Sequence, residues 1–293
     1  MKCFDCPRQC GAERDTDTPG GVCSSPRAPV LARAAAHFGE EPCISGTRGS
    51  GTVFFSGCNL KCVFCQNRDI SRGGIGKAVS VERLADIFRE LQDTGVHNLN
   101  LVTGSHFVPE IARALELAKP SVPVAWNSSG YDGIGSLKML EGLVQIYMPD
   151  MKYMSRTAAK RYSAAHDYPE AAQAAIAEMY RQVGRFELDE DGMMTKGVLI
   201  RHLILPGNED NSRRVIDFVA ENYPGDMVLF SLMSQFTPMP GTERFPELQE
   251  RITPEANDRL CRYMEKRGIE YGFWQEPDSA TDEMIPDFDY TGL

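Results

Sequence analysis

Cys58-Asn59-Leu60-Lys61-Cys62-Val63-Phe64-Cys65-Gln66-Asn67 decides how this chain is read. Directly before it stands Thr52-Val53-Phe54-Phe55, a β-branched and aromatic run that predicts a short buried strand. The cysteines are spaced C-x3-C-x2-C, and with nine cysteines in 293 residues chance produces this spacing in on the order of one chain in a hundred. Three thiolates can hold three corners of a [4Fe–4S] cluster. The fourth iron is then open to a ligand that is not protein, so it can bind and activate a substrate. The competing reading is a closed zinc or electron-transfer site, which needs a fourth ligand; Cys43 is a candidate for it. Gly57 before the loop and Asn59 within it suit a tight backbone.

Downstream the chain alternates strand and helix signals. Ser80 predicts an N-cap for a helix with Leu84, Ile87, Phe88 and Leu91 on one face, stopped at Gly95. Residues 99–103 read as a second strand, 108–119 as a helix stopped by Pro120, 122–126 as a third strand and 143–148 as a fourth. Residues 169–184 form a long Ala-rich helix, and a turn at Asp191-Gly192 leads into a fifth strand at 198–205. Ser212 is expected to cap a further helix, 227–233 to be the sixth strand, and Thr253 or Pro254 to open the last helix. Six strand–helix units in series predict an α/β fold, a parallel sheet with crossover helices; six is short of the eight that close a full barrel. In a parallel α/β barrel the loops at the C-terminal ends of the strands build the active site, and the cysteine loop follows the first strand.

Eight of the nine cysteines lie in the first 65 residues, and Cys261 stands apart. Clustered thiols in a chain that opens on cysteine and charge, without a signal peptide, read as metal ligands in a reducing cytoplasm. Cys3, Cys6, Cys10 and Cys23 form a second set, able to close a site around zinc or a second Fe–S cluster. Lys+Arg number 31 against 41 Asp+Glu, a net charge of −10 that argues against nucleic acid or an anionic membrane as partner. No apolar run approaches the roughly 20 residues of a membrane span. The expected organisation is a Cys-rich module at 1–45, a barrel at 46–275 and an acidic strap at 276–293 with Pro277, Pro286, Phe288 and Tyr290.

The cysteine loop, with Phe64 before its last cysteine, resembles the signature loop of the radical S-adenosylmethionine (radical SAM) superfamily. Glu40-Glu41-Pro42-Cys43-Ile44-Ser45-Gly46, Gly49-Ser50-Gly51-Thr52-Val53-Phe54-Phe55 and Cys6-Pro7-Arg8-Gln9-Cys10-Gly11 are similar to PflX-type relatives of pyruvate formate-lyase activating enzymes. The resemblance implies a partial (β/α)6 TIM-like barrel. It implies an oxidoreductase whose Cys58, Cys62 and Cys65 hold a [4Fe–4S] cluster that splits SAM reductively into methionine and a hydrogen-abstracting 5′-deoxyadenosyl radical. It also implies flavodoxin or ferredoxin as electron donor and, as substrate, a protein glycyl loop; a small metabolite or peptide is the alternative. A non-catalytic iron–sulfur or zinc protein is the reading from another class.

SAM is then expected at the other strand ends. Thr103-Gly104-Ser105-His106 stands where the superfamily usually reads Gly-Gly-Glu, so the acid is missing and Gly104 and Ser105 would make the contact. Asn127 and Ser128 would reach the ribose or carboxylate. Asp150 and Lys152 are similar to the Asp-x-Lys of activating enzymes, with a structural ion pair as the bland alternative. Arg201 and His202 interrupt an apolar strand, so one of them must face the interior; His202 is the candidate for SAM or substrate. From Ile44 to Ser80 the charged residues are Arg48, Lys61, Arg68, Arg72, Lys77 and a single acid, Asp69. That face is expected to receive an acidic electron donor.

Overall fold

The computed structural model describes residues 2–72, 74–275 and 286–293. The chain runs β1 (Val30–His37), α1 (Pro42–Ser45), β2 (Ser50–Phe55), α2 (Arg68–Ser71), β3 (Lys77–Ala78), α3 (Val81–Asp93), β4 (Leu99–Val102), α4 (Val108–Ala118) and β5 (Val124–Ser128). It continues through α5 (Ile134–Met139), β6 (Ile146–Pro149), α6 (Arg156–Ser163), α7 (Tyr168–Val183), β7 (Glu187–Leu188), β8 (Met194–Leu203), α8 (Glu209–Asn222), β9 (Leu229–Met233), α9 (Pro254–Lys266) and β10 (Gly272–Trp274).

The six expected strands are β2, β4, β5, β6, β8 and β9. They run parallel and adjacent in that order, with helical crossovers, as the partial TIM-like radical SAM architecture requires. Beyond these six, β1, β3, β7 and β10 were not legible; β3 pairs antiparallel with β1 and β7 with β8. The short β10 extends the parallel set beyond β9. On the other side β1 pairs antiparallel with β2, from Leu31↔Phe55 to His37↔Ser50. Its sequence, VLARAAAH, is half alanine and carries little strand propensity; pairing with a fully buried β2 supplies the order. This strand lies within residues 1–45. Among the described residues before it, the strand pairing is confined to isolated bridges, Lys2↔Glu13 and Gly20↔Ser25.

Strand alternation sorts the core. Val53, Phe55, Leu101, Trp126, Tyr147, Val198, Ile200 and Phe230 turn outward onto helix residues such as Phe88, Ile111 and Ile216. Ala125, Ile146, Met148, Leu199 and Leu229 turn inward and meet Cys43 and Ile44 of α1, which plugs the barrel floor. The helix signals hold at Ser80, whose hydroxyl accepts from the Arg83 amide at 3.1 Å, and at Thr253, which caps α9. Ser212 is a correction. α8 starts at Glu209, where two acids suit its N-terminus, and Ser212 is buried inside the first turn.

Of the expected strap, residues 276–285 lie outside the described residues. Residues 286–293 follow β1 and end in a turn, with Tyr290 at a left-handed φ of 65°: the amides of Tyr290 and Ala34 donate to the carbonyls of Ala32 and Thr291. Phe288 packs edge-on against Phe54 at 5.5 Å.

Candidate active site

The loop after β2 is bent where it must be. Gly57 has φ +82°, and a Cβ there would sit 2.8 Å from the Cys23 carbonyl and 3.0 Å from His106 Nε2. Only glycine allows that approach. Lys61 also takes a left-handed φ of 54°. The turn aims the amides of Leu60 and Lys61 at Cys58 Sγ, at 3.3 and 3.4 Å. Ser163 Oγ donates to Cys62 Sγ at 3.1 Å, and Ser71 Oγ to Cys65 Sγ at 3.5 Å. Each thiol therefore has a donor aimed at its sulfur, a device that stabilises thiolate and tunes a bound cluster. Burial pushes the Cys58 thiol up, and burial with the neighbouring Cys58 and Cys62 pushes Cys65 up to about 12. Phe64 is locked by edge contacts with Tyr153, Tyr162 and Phe236 at 6.2–6.5 Å.

Cys58, Cys62 and Cys65 line one wall of a cavity of about 230 Å³ at the C-terminal ends of the strands. Asn127, Ser128, Asp150 and Lys152 line it too, as do Glu40 and Arg201. The charges form a chain. Lys152 Nζ meets Asp150 Oδ2 at 2.7 Å; Arg201 Nε lies 3.2 Å from Asp150 Oδ1, and Arg201 Nη1 donates to Glu40 Oε2 at 3.0 Å. Asn100 and Asn127 each donate to Glu40 Oε1 at 3.0 Å, and Arg201 Nη2 donates to Asn127 Oδ1 at 2.5 Å. Burial alone would raise Asp150, but Lys152 and Arg201 outweigh it and hold its carboxyl below the usual range. Burial likewise opposes the charge on Lys152, and Asp150 overcomes it. Both groups stay ionised.

Gly104, Ser105 and His202 are placed elsewhere. A Cβ on Gly104 would meet Ile111 and Trp126 at 2.7 and 2.9 Å, so that position is given to packing. Ser105 Oγ donates to the buried Asp132 at 2.6 Å, as Ser128 Oγ does at 2.5 Å. His202 points outward with both nitrogens engaged, Nδ1 at 2.7 Å from the Met151 carbonyl and Nε2 at 2.9 Å from Ser212 Oγ. Burial pushes it down to about 4, so it is neutral. Arg201, its neighbour on β8, takes the inward position. Cys43 is in the apolar floor and does not reach the cysteine loop as a fourth ligand. Glu40 is absent from the expected set of site residues, although it opens the Glu40–Gly46 stretch that carries the family resemblance.

Residues 52–219 match the family model of the Radical SAM superfamily. The chain belongs to the radical SAM superfamily. An uncharacterized protein of Methanocaldococcus jannaschii is 27% identical over 279 residues, covering 92% of this chain and 75% of its own. A solved domain of pyruvate-formate lyase-activating enzyme from Bacteroides vulgatus aligns with 67% of this chain and 91% of its own, at 11% identity and a TM-score of 0.37.

The donor set fits the superfamily's cluster: three soft thiols on one cavity wall, each with a hydrogen bond to sulfur. Among the described residues no three Cys, His, Asp or Glu side chains close on a single ion position; a cluster instead places each thiolate on its own iron. SAM is a radical SAM enzyme's second group, and its amino and carboxylate ends find both signs of charge in this cavity. Gln235 Oε1, buried at the wall without a partner, is a further acceptor. In the N-terminal set, a Cβ on Gly21 would lie 3.1 Å from Cys10 Sγ and 3.9 Å from Cys23 Sγ. Burial, with Cys23 and Cys3 nearby, pushes Cys6 up to about 11.

Proposed function

We propose that this radical SAM enzyme holds a [4Fe–4S] cluster on Cys58, Cys62 and Cys65 and uses it to cleave SAM. When bound and reduced, the cluster supplies the electron that splits SAM into methionine and a 5′-deoxyadenosyl radical, which abstracts hydrogen from the substrate. The observation that carries this reading is the shared cavity, with the cysteines on one wall and the Lys152–Asp150–Arg201–Glu40 chain beside them. Lys152 is suited to the SAM carboxylate, and Asp150 with Glu40 to the amino group that a Gly-Gly-Glu acid would otherwise take. Asn127 offers its side-chain amide to the ribose, whereas the Ser128 hydroxyl is engaged by Asp132 and the Gly130 amide. Asp150→Ala and Lys152→Ala are expected to weaken SAM binding about 10- to 100-fold with iron content unchanged, the usual effect of losing a charged contact. Calorimetric isotherms that overlay wild type for both variants would leave the pair a structural ion pair.

For the substrate, the sequence likeness to activating enzymes favours a protein glycyl loop. One observation favours a small metabolite or peptide instead: Pro286 lines the cavity, and residues 286–293 occupy the edge of β1. Deuterium transfer into 5′-deoxyadenosine from candidate substrates separates the two.

An acidic flavodoxin or ferredoxin suits the face around the cysteine loop. Arg68 and Arg72 donate to the carbonyls of Pro240 and Lys61, and Lys61 Nζ to Ser24 Oγ at 2.7 Å. Among the described residues none of the three forms an ion pair; Arg68 faces the Glu243 carboxyl, which it helps to lower, while the charge of Lys61 and Arg72 remains available. Lys61→Glu, the variant that touches least backbone, is expected to slow flavodoxin-driven turnover, most at low salt, and to spare turnover with dithionite. Equal loss with both reductants would assign Lys61 to the loop rather than to a partner.

Cys3, Cys6, Cys10 and Cys23 are proposed to bind zinc or a second Fe–S cluster in a separate N-terminal module. Iron and zinc analysis of anaerobic protein lacking Cys58, Cys62 and Cys65 distinguishes these metals.

A further inference from the structure

We infer that Arg8 is a positioning residue for the cysteine loop, through which the N-terminal segment sets the geometry of the cluster site. The inference rests on the reading that this loop holds the cluster.

Arg8 stands midway between Cys6 and Cys10, and its guanidinium ties together two remote pieces of the barrel. Nε donates to the Asn59 carbonyl at 2.8 Å and Nη2 to the Leu60 carbonyl at 3.2 Å, both inside the cysteine loop. Nη2 also donates to the Ser163 carbonyl at 2.7 Å, and Nη1 to the Ala164 carbonyl at 2.5 Å. Those last two close α6, where Ala164 takes a left-handed φ of 48° and the final carbonyls have no partner within the helix. A cation there also suits the helix dipole.

The two pieces meet again at sulfur. Ser163 gives its carbonyl to Arg8 and its hydroxyl to Cys62 Sγ. The Val63 amide donates to the Tyr162 carbonyl at 2.8 Å. Asn59 Nδ2 donates to the Tyr131 carbonyl at 2.7 Å, and the Tyr131 ring lies 5.3 Å from the Arg8 guanidinium. The loop is thus tied both to Tyr131 and to α6, and Arg8, outside the barrel, touches all three. Arg14 makes a parallel tie: it is buried and donates to the carbonyls of Pro26 and His106, at 2.5 and 3.0 Å, fixing the loop after β4. A lysine cannot replace Arg8. A single ammonium has three donors on one atom and cannot span four carbonyls from two segments.

The test compares Arg8→Gln and Arg8→Lys with wild type in the full chain, using two readouts. In metal-free protein, iodoacetamide alkylation mapped by peptide mass should speed up about 10-fold or more at Cys58 and Cys62 in Arg8→Gln, less in Arg8→Lys, and not at Cys43 on the barrel floor. In reconstituted protein, the SAM-induced change in the EPR spectrum of the reduced cluster should weaken, as losing an outer-shell partner costs about 10- to 100-fold in metal-site function. Wild-type alkylation rates and a wild-type EPR response in a folded variant would overturn the inference. So would equal acceleration at Cys43, which reports general loosening. If Arg8→Gln does not fold, Arg8→Lys carries the same comparison. A wild-type protein that assembles no cluster would instead defeat the cluster reading, while the alkylation arm still decides the role of Arg8.

Discussion

Replacing any one of Cys58, Cys62 or Cys65 with alanine is expected to abolish SAM cleavage. A cluster with three protein ligands has no spare anchor. Losing one leaves two irons without a protein ligand, and the open coordination that binds SAM is no longer confined to one corner. Cys43 does not stand in for a lost ligand, since it sits in the floor among Ile44, Ala125 and Ile146. The measurement is chromatographic detection of 5′-deoxyadenosine from dithionite-reduced, reconstituted variants, with iron counted in parallel. Product from all three variants at the wild-type rate would move the site away from this loop.

The second large effect is expected at Arg201. Its side chain is 12% exposed and sits between Glu40 at 3.0 Å and Asp150 at 3.2 Å. It also lowers the buried Glu41, whose carboxyl burial holds above the usual range. Arg201→Met leaves these carboxylates facing Lys152 alone. Breaking a buried charge pair from one side costs about 3–5 kcal/mol. The sign of its pH dependence follows from linkage. Without Arg201 the Asp150 carboxyl loses one of the two cations that hold it down and the Glu41 carboxyl rises further above its unfolded value, so the folded variant binds more protons than folded wild type and its stability relative to wild type falls as pH rises. The deficit against wild type should therefore be larger at pH 8 than at pH 5 in urea denaturation. A deficit equal at both values would show that packing, not charge, is what Arg201 contributes.

The extent to which this site could be read in advance follows from periodicity. The cysteine loop and the six central strands were legible because spacing and apolar runs are local signals. The inward position on β8 was narrowed to Arg201 or His202 by the period of two, but the choice depends on neighbours. Glu40 and Asp150 recruit Arg201 to the interior, whereas Ser212 and the Met151 carbonyl satisfy His202 outside. Ser212 does not cap α8 for a similar reason: its hydroxyl is committed to a residue ten positions away. Gly104 and Ser105 follow the right strand yet serve Trp126, Ile111 and Asp132, a buried acid whose partners come from the loop after β4 and the end of β5. The alanines of β1 carry no strand signal; only the edge of β2 makes them a strand.

The most direct test of the central claim is anaerobic incubation of reconstituted, reduced wild-type protein with SAM. The account predicts 5′-deoxyadenosine and methionine in equal amounts, slowly even without substrate. No 5′-deoxyadenosine from protein with a confirmed, reduced [4Fe–4S] cluster would contradict it, and would leave an iron–sulfur protein that does not cleave SAM.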